Sequence, residues 1–226
     1  MKILAADTAL GACSVAVLED DTLRAHLFEP MERGHAERLA PMVRDVMAAA
    51  GESFGAIDRL AVTVGPGTFT GQRVGYAFMR GMRLALQRPL VGITTLAAMA
   101  GAAQAQTGLS PAVVLHDARR GEVYVTGLVG RKTVVEVQLA AFDEAIRMIC
   151  DAFHAGSGVI AVAGTAGERA VARFHGAGRQ AVDTAIHSPD AAWVGRLARL
   201  EPEPSHVPPP LYLRPPDAKL PTQGIA

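Results

Sequence analysis

The chain has 226 residues, half of them hydrophobic, and 22 Lys plus Arg balance 22 Asp plus Glu. That length suffices for one large domain or two small lobes with separate cores. No apolar run reaches the length of a membrane span, and the two cysteines, Cys13 and Cys150, cannot build a disulfide framework and read as buried small hydrophobes.

The N-terminus runs straight into a strand without a targeting pattern, so the expected location is cytoplasmic, with no membrane partner. Zero formal charge argues against tight RNA binding by this chain alone, because phosphate contacts demand a basic surface.

In chain order, residues 2–6, 12–18 and 23–28 read as three short strands joined by the turns Asp7-Thr8-Ala9-Leu10-Gly11 and Glu19-Asp20-Asp21. A helix follows over 34–50, with Leu39, Met42, Val43, Val46, Met47 and Ala50 on one stripe. Pro41 belongs in its first turn or bends it, and Gly51 is placed to end it. Residues 59–64 form the next strand, broken by Gly65, Pro66 and Gly67 before a helix over 69–87 that Thr68 or Thr70 can cap. A strand over 89–93 and an alanine-rich helix to about 104, capped by Thr94 or Thr95, complete a β-β-β-α-β-α-β-α order.

The polar stretch 104–110 is the expected joint, dividing an N-terminal lobe, 1–105, from a C-terminal lobe, 106–226. Beyond it, 112–116, 122–128 and 132–137 read as strands, and 141–153 and 166–174 as helices around a strand at 159–163. Ser188 and Pro189 start a last helix over 190–200. The proline-rich tail from Glu201 is expected to be extended and without regular structure. No internal repeat is evident.

A strand, a glycine-rich turn and a helix N-terminus can together hold an anion on free N–H groups. Here no Walker-type lysine follows, and glycines at 65, 67, 71 and 75 do not make a dinucleotide fingerprint, so a tight strand-to-helix turn explains the same spacing. Asp7 is either a phosphate-facing carboxylate or a turn residue bonded to its own backbone. Gly71 and Gly75, one helical turn apart, admit the close approach of another backbone, from the same lobe or from a partner. His35 has Leu39 four residues on, and no His pair at metal-ligand spacing occurs elsewhere, so no metal site is expected. Ser14, Ser53 and Ser188 sit in no nucleophile elbow.

The string Gly65-Pro66-Gly67-Thr68-Phe69-Thr70-Gly71-Gln72-Arg73-Val74-Gly75 resembles the signature of the TsaB (YeaZ-like) family, with Thr68 for the usual Ser and Gln72 for the usual Val. Asp117-Ala118-Arg119-Arg120-Gly121-Glu122-Val123-Tyr124, the His35 helix and Pro210-Leu211-Tyr212-Leu213-Arg214 resemble further family strings. The resemblance implies an α/β fold of the actin-like, Hsp70-like and sugar-kinase-like ATPase superfamily, with two lobes. It implies a non-catalytic subunit that activates the transferase TsaD and works with the ATPase TsaE. That complex forms N6-threonylcarbamoyladenosine at position 37 of tRNAs reading ANN codons.

In TsaD two metal-binding histidines follow a strand similar to Pro89-Leu90-Val91-Gly92-Ile93, and Thr95 and Met99 stand at those places here. Carried over by motif and helical spacing, the partner interface comprises His35, Leu39, Met42, Arg73, Gly75, Tyr76, Ala77 and Arg80. It serves a TsaD heterodimer or, for the chain alone, a homodimer. Asp7, Thr8, Gly65, Gly67 and Thr68 are the candidate vestige of a phosphate site. No cofactor is required on this reading, and weak nucleotide binding is the ligand property the fold allows. The alternative class is a self-sufficient actin-like ATPase or small-molecule kinase using Asp7 and the glycine-rich turn. A metallopeptidase is a third.

Overall fold

The computed structural model describes residues 1–153 and 158–214, which form two five-stranded sheets. In the first, β1 (Lys2–Asp7), β2 (Ala12–Glu19) and β3 (Thr22–Pro30) make an antiparallel meander, and β4 (Arg59–Gly65) and β5 (Leu90–Thr94) extend it in parallel, in the order β3-β2-β1-β4-β5. β1, β2 and β4 are buried almost throughout, which explains their continuous apolar runs. On one face lie α1 (His35–Ala50) and α2 (Phe69–Leu86), and the stripe from Leu39 to Ala50 packs into this lobe's core with Leu4, Val15, Leu60 and Met79.

The second sheet repeats the plan. β6 (Pro111–Asp117), β7 (Glu122–Val129) and β8 (Lys132–Ala141) form the meander, β9 (Ile160–Ala163) and β10 (Ala181–Asp183) the parallel pair, and α4 (Phe142–Ala152) and α5 (Gly167–Gly176) the cover. An internal repeat is therefore present in topology though not in the residues.

The remaining helices, α3 (Thr95–Thr107) and α6 (Ala191–Leu200), are exchanged between the lobes. α3 leaves the first sheet and packs Leu96, Met99, Ala100 and Ala103 against Ala112, Val114 and Ala161 of the second. α6 leaves the second sheet and packs Ala191, Ala192, Val194 and Ala198 against Ile3, Ala5, Leu18 and Ile93 of the first. A Cβ on Gly195 would lie 2.3 Å from Leu18 Cδ1, so the helix rides close to the sheet. Residues 190–200, counted with the second lobe in the sequence reading, thus return to the first. A lobe boundary drawn by chain order misses that exchange.

Other departures are local. Pro41 lies inside α1, past its first turn, where it removes one intrahelical bond. β8 runs to Ala141 rather than 137 and α3 to Thr107 rather than 104. The three-residue β10 is too short to show a period. Residues 201–214 have no regular structure, and the expected extended tail beyond 214 lies outside the described residues.

The exchange is fastened by Arg59 at the start of β4. Its buried guanidinium donates through Nη1 to the carbonyls of Ala198 (2.6 Å) and Glu201 (2.8 Å) at the C-terminus of α6, where a cation also meets the negative end of the helix dipole. Arg59→Ala should cost about 2 kcal/mol, the scale of charge-assisted bonds left unmade. Urea denaturation of both proteins measures it.

Candidate functional site

Where β1 ends and α2 begins, the chain fills its own anion-type cradle. The Thr8 hydroxyl donates to Gly71 O (2.6 Å) and accepts from Gly75 N (2.9 Å), so it inserts at one rung of the helix. Thr68 caps α2 by accepting from Gly71 N (3.1 Å), and its own N–H donates to Ala9 O (2.8 Å). The glycines are what make this possible. A Cβ would lie 2.2 Å from Thr8 O at Gly71, 2.6 Å from Thr8 Oγ1 at Gly75 and 2.4 Å from Ala9 O at Gly67. Gly65 has φ 105°, a conformation favouring glycine, and an added Cβ there would meet Gln72 Nε2 and Leu211 O. Of the candidate phosphate residues, Asp7 and Thr8 are buried and engaged within the chain, while Gly67 and Thr68 line the interlobe cleft.

Asp7 belongs to the same knot. Its Oδ1 accepts from Thr63 Oγ1 (2.5 Å) and Ala9 N (3.1 Å), while Oδ2 is buried with no partner. Burial pushes its carboxyl up to about 7, opposed by the Thr63 and backbone hydrogen bonds. The repeat places Asp117 at the matching end of β6, where it accepts from Arg119 N (2.8 Å) as Asp7 does from Ala9. The topology thus supplies a second hairpin of this kind.

Between the lobes lies a cleft of about 1960 Å³ lined by both hairpins, with Phe69, His116, Arg119 and Trp193 among its walls. His116 is buried with Nδ1 unpartnered, and burial lowers its imidazole to about 4, with Asp117 opposing and His187 adding to the shift. Thr95 and Met99 are buried in the chain's own interior. Among the described residues no three His, Cys, Asp or Glu side chains converge at metal-binding distance. Cys13 is buried, and desolvation raises its thiol to about 12, which leaves it unreactive.

A family model described as "TsaD: tRNA N6-adenosine threonylcarbamoyltransferase" matches residues 29–189. The curated TsaB protein of Haemophilus influenzae, a tRNA threonylcarbamoyladenosine biosynthesis protein by name, is 33% identical over 172 residues, covering 70% of this chain and 72% of that one. The chain belongs to the TsaB family. The Escherichia coli TsaB protein is 44% identical over 124 residues, 55% of this chain, and the match spans only about half of that relative's length (53%). Among solved structures, YeaZ from Pseudomonas aeruginosa superposes with TM-score 0.71 at 30% identity, covering 88% of this chain and 91% of that chain. Component A of (R)-2-hydroxyglutaryl-CoA dehydratase from Acidaminococcus fermentans, 10% identical, covers 88% of this chain and 98% of that chain with TM-score 0.54, a likeness of fold alone. The two-lobe α/β fold expected from the sequence is the one observed, and it is shared with that component.

The TsaB interface expected from the motifs needs revision. Leu39 and Met42 are fully committed to the core of the first lobe, and Gly75 faces Thr8, so none of the three offers a contact surface. His35 is also buried, its Nε2 unpartnered. Tyr76 is half-buried and donates its hydroxyl to Pro208 O (2.6 Å). Arg73, Ala77 and Arg80 remain exposed on the outer face of α2. That face also carries two residues the sequence reading passed over, Phe69 (52% exposed) and Leu84 (72%). The period of α2 could have found both, since they fall on the side opposite Gly71, Gly75 and Met79.

A further constellation joins residues far apart in the chain. His26 Nε2 lies 2.8 Å from Asp190 Oδ1 and 3.4 Å from Ser14 Oγ. Both partners share one ring nitrogen, and the buried Ser14 hydroxyl also donates to Leu27 O and accepts from Ala191 N. A nucleophile relay needs the two nitrogens on opposite partners. This group instead fastens β2 and β3 to the N-terminus of α6.

Two outcomes follow from the knot. Gly75→Ala should lower stability by about 1–3 kcal/mol, since the added methyl must displace a hydroxyl held on both sides; chemical denaturation checks it. Asp7 contributes stability below its ordinary value of 3.8 and loses it as pH rises through about 7. Asp7→Asn should therefore gain on wild type by about 1.4 kcal/mol per pH unit across that window and no further above it. In the wild type His116 works the other way, losing stability as pH falls from 6.5 through about 4. The two slopes offset each other, so the comparison must be made between the two proteins at each pH.

Proposed function

We propose that the chain is a non-catalytic accessory subunit in the formation of N6-threonylcarbamoyladenosine at position 37 of tRNAs reading ANN codons. It pairs with TsaD through the outer face of α2 and meets TsaE within that complex. Alone, it pairs with itself through the same face. The observation that carries the reading is the coincidence of TsaB membership with one apolar-and-basic helix face, Phe69, Arg73, Ala77, Arg80 and Leu84, left uncovered beside a closed knot.

The knot speaks against the self-sufficient ATPase or kinase. A carboxylate that organises a metal and phosphates must reach them, and Asp7 is fully buried and bound to Thr63 and Ala9. A cofactor has no part in the role proposed, and weak nucleotide binding in the interlobe cleft would be incidental to it. With formal charge zero, the chain leaves most tRNA phosphate contacts to its partner.

Ala77→Arg places a bulky charge at the centre of that face without touching the core. Light scattering and titration calorimetry with the organism's own TsaD should show a one-to-one complex for the wild type and at least about tenfold weaker binding for the variant, as for a central contact. A wild-type chain that ignores TsaD, or a variant that binds unchanged, would overturn the proposed face.

A further inference from the structure

We propose that residues 207–214 form an interlobe latch, anchored on the first lobe and holding a strained turn of the second. The anchor is a run of specific bonds. Leu211 N donates to Val64 O (2.7 Å), and Gln72 Nε2 donates to both Val64 O (2.8 Å) and Leu211 O (3.1 Å). Tyr76 holds Pro208 O, and Arg73 Nε donates to the Tyr212 hydroxyl (3.1 Å). Pro208 sits over Gly92, where a Cβ would lie 2.7 Å from its ring. The three consecutive prolines 208–210 stiffen the segment, so little chain entropy is lost in spanning the anchor points.

The segment then crosses to the other lobe. Arg214 Nη1 donates to Ala118 O (2.9 Å), and its Nη2 pairs with the Glu122 carboxylate. These two acceptors bracket the β6–β7 turn. Within that turn Arg119, Arg120 and Gly121 have φ of 67°, 57° and 77°, three successive left-handed residues of which two are arginines. Side-chain-bearing residues adopt that region at a cost and persist there only when surroundings hold them. Arg214, from outside the second lobe, holds both sides of the turn. Leu213 and Arg214 also line the cleft together with Phe69 and Asp117, so the latch passes along its mouth. Two strings that looked like unrelated motifs, 117–124 and 210–214, are thus the two halves of one contact.

Hydrogen–deuterium exchange on the full chain tests this. Arg214→Ala should speed exchange about tenfold across 117–122, on the opposite lobe, while β1 and α1 keep their protection. Arg214→Lys, which retains charge without the fork, should fall between. The Glu122→Gln, Arg214→Ala double variant should exchange no faster than Arg214→Ala. Unchanged protection at 117–122, or a uniform acceleration over the whole chain, would overturn the latch. If Arg214→Ala does not fold, Tyr212→Phe removes only the hydroxyl held by Arg73; faster exchange over 207–214 and 117–122 supports the latch, and no change at 117–122 refutes it.

Discussion

One hydroxyl fixes the geometry of the first lobe. Thr8 Oγ1 sits between Gly71 O and Gly75 N, donating to one and accepting from the other. This requires the α2 backbone to lie against the turn after β1 at a distance that no side chain on Gly71 or Gly75 would permit. The turn's remaining groups fall in place around it: Ala9 O on Thr68 N, Thr68 Oγ1 on Gly71 N, and Asp7 beneath with Thr63. A glycine-rich turn before a helix is chemically suited to phosphate, and here its inner side is packed against the protein's own β1–β2 turn.

The consequence is directional. Because the glycine side of α2 faces inward, Phe69, Arg73, Ala77, Arg80 and Leu84 face outward. Arg73 lies over the Phe69 ring at 3.3 Å and near the Tyr212 ring at 5.4 Å, which orders a long cationic side chain before any partner arrives. Ordering before contact lowers the cost of binding, so the knot that turns the glycine side of α2 inward leaves this face ordered for the partner proposed above.

How far the residues alone could take the reading depends on the range of each signal. Periodicity is local, and it located the α1 stripe and nearly every strand. Leu39 and Met42 lie on that stripe and also among the residues expected at a partner interface, and they cannot fill both the core and an interface. Gly71 and Gly75 announced a close approach but not its source, because Thr8 lies 67 residues away from Gly75. The return of α6 to the first sheet and the meeting of Ser14, His26 and Asp190 are likewise long-range, with Ala191 bonded to Ser14 across 177 positions. Such contacts leave no period or spacing behind. The family strings were visible for a different reason: several of them encode backbone demands, at Gly65, Gly67 and Gly121, that few residues meet.

The arginines show how a chain of zero formal charge spends its cations. Arg59 and Arg214 both donate to backbone carbonyls at the far end of the sequence map, one at the C-terminus of α6 and one at the β6–β7 turn. Each ties segments far apart in the chain, Arg59 through one nitrogen to two carbonyls and Arg214 through both nitrogens of its planar fork, which a lysine lacks. Exchanged helices α3 and α6 already oblige the lobes to fold together, since each sheet is covered by a helix from the opposite half of the chain. With hydrophobic exchange beneath and arginine ties above, the relative placement of the lobes is over-determined. Closure and opening about a bound nucleotide require the opposite, a joint with two accessible arrangements. The construction accords with the proposed role, in which the subunit presents one fixed helix face.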